Sequence, residues 1–242
     1  MIIEFDGTYQ GLLSLIHACY YQRLAPTHIQ TPATAQLTLM GEPIMIETCP
    51  QKAHRVLTAI NQKISPEVAG KVYYAFLSEG GYLAILQYVQ LGFKVGHMVD
   101  SHLQTPCVQI VHDLAKKVGG EAHLLLGFTR FAEMENGVFY SPITPKYNAL
   151  PLVAQHFATR FINMPWVVHD KLRHQAAIYN MQEYIITPVP KDIALNYAQG
   201  EIEMQEMWRS FLKALTIEAR KNPKLQRQLL PLHFRKNMTE FK

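Results

Sequence analysis

Hydrophobic positions along this chain fall mostly at helical spacing, interrupted by a central stretch where they alternate. Leu12, Leu15, Ile16 and Cys19 recur at i, i+3, i+4 and i+7, which predicts a helix from Thr8 to about Tyr21. A short strand at Ile2–Phe5 and an Asp6-Gly7 turn precede it, and Thr8 is placed to cap it. No G-x-x-x-x-G-K-[ST] or G-x-G-x-x-G pattern surrounds that turn, so a phosphate loop is not indicated.

The stretch from Pro26 to Pro43, rich in Thr and Pro, reads as a linker or exposed loop, and Ile44–Glu47 as a second strand. Three helices follow. Ala53, Val56, Leu57 and Ile60 mark the first; Ser65-Pro66 opens the second, striped by Val72, Tyr73, Phe76 and Leu77; Gly80-Gly81 ends it. The third carries Ile85, Leu86, Val89 and Phe93. A fourth, capped by Thr105-Pro106 and bearing Leu103, Cys107, Ile110, Val111, Leu114 and Val118, is expected to close at Gly119-Gly120.

Between Glu121 and Tyr179 the period changes. Leu124, Leu126, Phe128 and Arg130 alternate with Leu125, Gly127, Thr129 and Phe131, which predicts a strand over Leu124–Ala132. Asn136-Gly137 predicts a type I′ hairpin turn into Val138–Ile143. Asn148 is placed to cap a helix striped by Leu150, Val153, Ala154, Phe157 and Phe161. Trp166–His169, Arg173–Tyr179 and Glu183–Thr187 then read as an antiparallel meander. From about Ile202, Met204, Met207, Trp208, Phe211, Leu212 and Leu215 define a helix whose apolar face is expected to dock on the rest of the protein. The expected class is α+β: an antiparallel sheet of hairpin and meander packed with several helices. A core over residues 1–200 would carry a basic helical segment over 201–242.

Charge adds one feature to this picture. Up to Trp208 there are 14 Lys and Arg against 17 Asp and Glu; from Arg209 onward there are 9 against 2. Such bias at one end favours an anionic partner. No apolar run approaches the roughly 20 residues of a membrane span, and the first residues lack a signal-peptide pattern, so no membrane role and a cytoplasmic location are expected. Cys19, Cys49 and Cys107 are widely spaced and form no C-x-x-C, arguing against a disulfide framework or a metal cluster. His97, Asp100 and His102 match no zinc template, and His54 with His112-Asp113 resembles a phosphohydrolase dyad only thinly. No metal and no cofactor are expected, and His112 is assigned to a solvated face.

The candidate chemistry lies in the central stretch. His156 and Arg160 stand four residues apart on one helix, hence on one side. Asp170 and Arg173 flank a turn, where they could simply form an ion pair. Joined with Arg130 and His169 they could instead line a cleft. Arg130, Arg160 and Arg173 would then hold a phosphate or nucleotide, and His156, His169 or Asp170 would move a proton. The basic end offers Arg209, Lys213, Arg220, Lys221, Lys224, Arg227, Arg235 and Lys236 as nucleic-acid contacts. No reaction is stated by these residues alone.

Several short motifs recur together: Phe5-Asp6-Gly7-Thr8, Phe76-Leu77-Ser78-Glu79, Glu121-x-His123 with Gly127-Phe128-x-Arg130-Phe131, His156-Phe157-x-x-Arg160, Trp166 with His169-Asp170 and Arg173, and Arg220-x-Asn222-Pro223. As a set, over nearly the whole chain, they resemble the bacterial "probable DNA metabolism protein" family, a domain of unknown function. The resemblance implies an accessory role in DNA metabolism or repair. DNA and a radical-SAM protein would be the partners, since relatives are encoded beside such a protein and some are fused to a uracil-DNA glycosylase-like domain. This chain lacks the C-x-x-x-C-x-x-C run of radical-SAM enzymes. A hydrolase acting on DNA and a non-catalytic protein-interaction module are the alternatives.

Overall fold

The computed structural model describes residues 1–35 and 42–241, and the chain is α+β. It divides into two compact units, Met1–Gly119 and Gly120–Lys242. Each unit has its own apolar core.

The first unit begins with β1 (Ile2–Glu4) and α1 (Tyr9–Tyr21). Thr8 caps α1 as expected, its hydroxyl accepting from the Gly11 N–H at 2.9 Å. The Asp6 carboxylate accepts from the Thr8 N–H and hydroxyl and from the Thr48 hydroxyl, so this turn is structural. The stretch read as a linker contains a strand, β2 (His28–Gln30), with Ile29 in the core; its residues 36–41 lie outside the described residues. β3 is Ile44–Met45, and the sheet order β2-β1-β3 is parallel throughout. Next come α2 (Pro50–Lys63), α3 (Pro66–Phe76) and α4 (Tyr82–Val95), whose predicted stripes supply Ala53, Val56, Ile60, Val72, Ile85, Leu86 and Val89 to the core. Ser65 caps α3, accepting from the Val68 N–H at 3.1 Å.

Asp100 sits in a 3-10 turn and gathers three donors: Lys71 Nζ at 2.6 Å, the Tyr88 hydroxyl at 2.6 Å and His112 Nε2 at 2.8 Å. Burial pushes its pKa up, but these hydrogen bonds outweigh burial and hold it below the usual carboxylate range. His112, expected on a solvated face, is thus engaged in a polar network. Its stripe is off-centre from the apolar one, and only the tertiary fold brings Asp100 to it.

Helix α5 (Pro106–Phe128) starts in the first unit and ends in the second. It continues through Gly119-Gly120 and replaces the predicted strand over Leu124–Ala132. Val118, Glu121, Ala122 and Leu125 are all buried, a spacing of three and four that only a helix aligns. Each interior glycine costs about 1 kcal/mol relative to alanine. At Gly119 that cost has a purpose, since a Cβ there would stand 3.2 Å from the Tyr74 ring.

The second unit holds a five-stranded sheet, β4 (Ala132–Glu133), β5 (Phe139–Ile143), β6 (Trp166–Asp170), β7 (Gln175–Tyr179) and β8 (Tyr184–Pro188), in that order. The β6-β7-β8 meander is antiparallel as expected, but β5 and β6 pair in parallel, so the sheet is mixed. The cause is α6 (Leu150–Arg160), which carries the chain back along its starting strand, as a parallel pair requires. Its N-cap is Ala149; Asn148 instead accepts from Gln175 Nε2 at 3.0 Å. The β4–β5 connection, residues 134–138, has Gly137 at φ 76° and is closed by the Gly137 N–H to the Met134 carbonyl. Asn136 keeps a negative φ, so the turn is not type I′.

The chain then continues as α7 (Glu201–Leu215), α8 (Pro223–Leu229) and α9 (Leu232–Arg235). The apolar face of α7, expected to dock, has no buried residue: Met204 is 58% exposed, Phe211 51% and Leu215 61%. Helical spacing shows that a face is apolar and says nothing of whether it has a partner. Among the described residues no helix is long and apolar enough to cross a membrane.

Candidate functional site

The two faces of the five-stranded sheet have different neighbours. Register places Ser141, Ile143, Trp166, Val168, Asp170 and Ala177 on one face, and Tyr140, Pro142, Val167, His169, Ala176 and Ile178 on the other. Apolar members of the first face join α6 in the core around Trp166, Val153 and Phe157. His169 and Asp170 are adjacent in sequence and therefore point to opposite sides.

That alternation separates the residues expected to form one cleft. Asp170, fully buried, accepts from the backbone N–H groups of Leu172 and Arg173 and from Arg173 Nη1 at 3.1 Å. Arg173 also donates to the carbonyls of Pro145 and Lys146, while Glu121 accepts from the N–H groups of Lys146 and Tyr147 at 2.8 Å each. The loop 145–147 is thus clamped from two sides. Burial raises the Asp170 pKa against the pull of Arg173. Arg130 lies after α5, in a bidentate pair with Glu240 at 2.8 and 3.3 Å. His156 is half-buried with its ring edge against Phe157, and Arg160 is exposed beside the Phe161 ring. Asp170 and Arg173 are brought together; Arg130, His156, Arg160 and His169 are not joined to them.

His169 is fully buried, with Nδ1 2.8 Å from the Tyr140 hydroxyl and no hydrogen-bond partner for Nε2 among the described residues. Burial lowers its pKa, with Lys171 adding to the effect, and burial pushes the Tyr140 hydroxyl up to about 12. The folded unit therefore resists protonating His169 more than the unfolded chain does. Its contribution is intact above the unfolded value of about 6.5 and is lost as pH falls through the lower folded value. Thermal melts between pH 7.5 and 5 should show this decline, and His169→Asn, which keeps an acceptor for Tyr140 but cannot titrate, should flatten it. An identical profile in the variant would assign the decline elsewhere.

Two adjoining pockets occupy the Tyr140 face. One, of about 360 Å³, is mainly apolar, with Val138, Tyr140, Val167, Ala176, Ile178 and Leu195 in its wall. The other, of about 220 Å³, is polar and basic, with Arg130, Lys171, Tyr197, Gln205, Lys236 and Asn237. Tyr140 and Leu195 line both. The segment that completes them is tied to β4 by Ala198 N–H to the Glu133 carbonyl, and to the turn after it by Glu135 N–H to the Asn196 carbonyl, each 3.0 Å. Lys171 is 3.6 Å from the highly exposed Asp192, and Lys236 forms no ion pair among the described residues.

Sequence reasoning placed Arg130 and Lys236 in separate groups and passed over Lys171, Tyr140 and Tyr197. The alternation around Tyr140 was the available signal for the sheet face. Of the remaining basic residues, Lys213, Arg220, Lys221, Lys224 and Arg227 are exposed, with Lys221 2.7 Å from Glu218 and Arg227 donating to the Pro223 carbonyl. Arg209 is half-buried, and Arg235 donates to the Leu230 carbonyl beneath the Phe241 ring. Among the described residues no group of three His, Cys, Asp or Glu side chains is placed to hold a metal. No curated protein matches the chain. Residues 80–240, most of the chain, match the domain of unknown function DUF4130, and the protein belongs to that family.

Proposed function

We propose that this protein binds nucleic acid through the second unit, as an accessory factor in DNA metabolism or repair acting with a radical-SAM partner. The observation that carries the reading is the basic pocket of Arg130, Lys171 and Lys236 opening beside an apolar cavity on one sheet face. A phosphate would draw on Lys236, which has no competing ion pair, and on Lys171, whose pair with exposed Asp192 is worth little. A base would find apolar walls next to it, and the exposed lysines and arginines of the C-terminal part would add sequence-independent attraction to the backbone. The reading of the partner rests on the family resemblance.

Hydrolysis by His169 and Asp170 acting together has no support in this arrangement, because the sheet stands between them. A protein-interaction role is favoured by one observation, the exposed apolar stripe of α7. For that role Trp208→Glu should abolish co-elution with the radical-SAM protein; retention would rule the stripe out as its contact.

Anisotropy of labelled single-stranded and duplex DNA across a salt series tests the primary reading. Lys171→Ala/Lys236→Ala should weaken single-strand binding at least ten-fold at low salt. It should also flatten the salt slope by about 1.4, at roughly 0.7 per phosphate contact. Wild-type affinity in that variant would exclude this pocket from binding.

A further inference from the structure

Three helices of the first unit meet at a basic, aromatic surface. α1, α2 and α4 contain no Asp or Glu at all, although the chain has 19. Each helix buries one stripe and turns another outward. On α1 the outward stripe is His17, Tyr20 and Tyr21, at i, i+3 and i+4; on α2 it includes Arg55 and Lys63, eight residues apart; on α4 it ends in Lys94. Tyr20 is 66% exposed and Tyr21 56%, unusual for aromatic side chains beside a formed core.

These rings are ordered against one another. His17 stacks on Tyr21 with centroids 4.4 Å apart and planes 29° from parallel; Tyr20 meets Tyr21 edge-on at 5.3 Å; the Arg55 guanidinium lies over the Tyr21 ring at 5.5 Å. Burial, then the charges of Lys52 and Arg55, lower the His17 pKa, which favours the neutral ring. Two cavities flank the rings. One, about 260 Å³, has Arg55 and Lys63 in its wall; the other, about 430 Å³, has Arg23 and Lys94; Tyr20 and Phe93 belong to both. Arg23, Arg55, Lys63 and Lys94 form no ion pair with a carboxylate among the described residues.

We infer that this surface is a stacking platform for single-stranded nucleic acid, with bases on Tyr20 and Tyr21 and the backbone following Arg55, Lys63, Arg23 and Lys94. Exposed rings interleaved with unpaired cations, along two cavities joined at one tyrosine, match what a strand of stacked bases linked by phosphates requires. A duplex hides its base faces and would meet only the cations. An acidic protein would have no use for the ordered rings. The inference is independent of the pocket in the second unit.

The test uses the full chain and labelled dT12, rU12 and a 12-base-pair duplex in a salt series, with inorganic polyphosphate as a competitor without bases. Tyr20→Ala/Tyr21→Ala, at exposed positions, should weaken dT12 or rU12 binding at least ten-fold with the helical circular dichroism retained. Arg55→Ala/Lys63→Ala should reduce the salt slope by about 1.4. Both are repeated in the Lys171→Ala/Lys236→Ala background, so that the two surfaces are scored separately. Loss in that background, where the second-unit pocket cannot mask it, supports the platform. There, unchanged single-strand affinity in Tyr20→Ala/Tyr21→Ala, equal affinity for the duplex, or displacement by polyphosphate as efficient as by dT12 would each overturn it. The preference between dT12 and rU12 tells DNA from RNA.

Discussion

Asp170→Asn should destabilise the second unit by about 3 kcal/mol, near the cost of breaking a buried ion pair by removing one partner. The carboxylate has no exposed surface and accepts from two backbone N–H groups and the Arg173 guanidinium. Asparagine can keep the backbone bonds with one oxygen, but it would turn an amide or a neutral carbonyl toward Arg173. The low end of the range applies because Arg173 retains the carbonyls of Pro145 and Lys146. Chemical denaturation should show the loss as a lower midpoint with an unchanged slope. At temperatures below the transition, nucleic-acid affinity should be near that of the parent protein. A parental midpoint would instead free Asp170 for a role in chemistry, the outcome expected if this residue moved a proton.

Trp166→Ala should cost more, about 4 kcal/mol, within the range for emptying a large aromatic site. Trp166 is fully buried on β6, stacked on Tyr179 at 5.2 Å and met edge-on by Phe131 and Phe157. These partners come from the loop after α5, from α6 and from β7, so one cavity would loosen several elements together. Its indole Nε1 has no hydrogen-bond partner among the described residues, so Trp166→Phe forfeits no polar bond and should recover more than half of the loss. Near-ultraviolet circular dichroism would report loosened packing, and denaturation its size. A loss below about 1 kcal/mol would show that the surrounding rings can collapse into the space.

The two variants act on opposite grounds for reading the same segment. In sequence, Trp166, His169, Asp170 and Arg173 look like one cluster, because they are close together and unusual in apolar company. In the fold, Trp166 and Asp170 serve the core side of the sheet and His169 the pocket side. Alternation along a strand is legible in sequence; which side holds a core and which a pocket is not.

Local signals carried much of the rest. The stripes of α1 to α4, the caps at Thr8 and Ser65, the meander from Trp166 onward and the basic bias after Arg209 all depend on residues within a few turns of one another, and the α+β class follows from them. Where a local rule met a distant partner, the partner prevailed. Gly119-Gly120 would end an isolated helix, yet burial of Val118, Glu121, Ala122 and Leu125 carries α5 through them. The alternating apolar residues after Glu121 suit either a strand or a helix, and packing chose the helix. Parallel pairing of β5 with β6 depends on the return path of α6, and the Asp100 network joins residues as far apart as Lys71 and His112.

By itself the sequence determined the helices with strong apolar stripes, the capped turns, the α+β class and the unequal distribution of charge, because helical and strand periods and capping bonds are local. The tertiary structure alone decided the division into two units, the mixed sheet, the paired pockets around Tyr140 and the meeting of Tyr20, Arg55 and Lys94 on one surface. Those features require residues tens of positions apart to share space, and only burial of the cores, summed over the whole fold, brings them there.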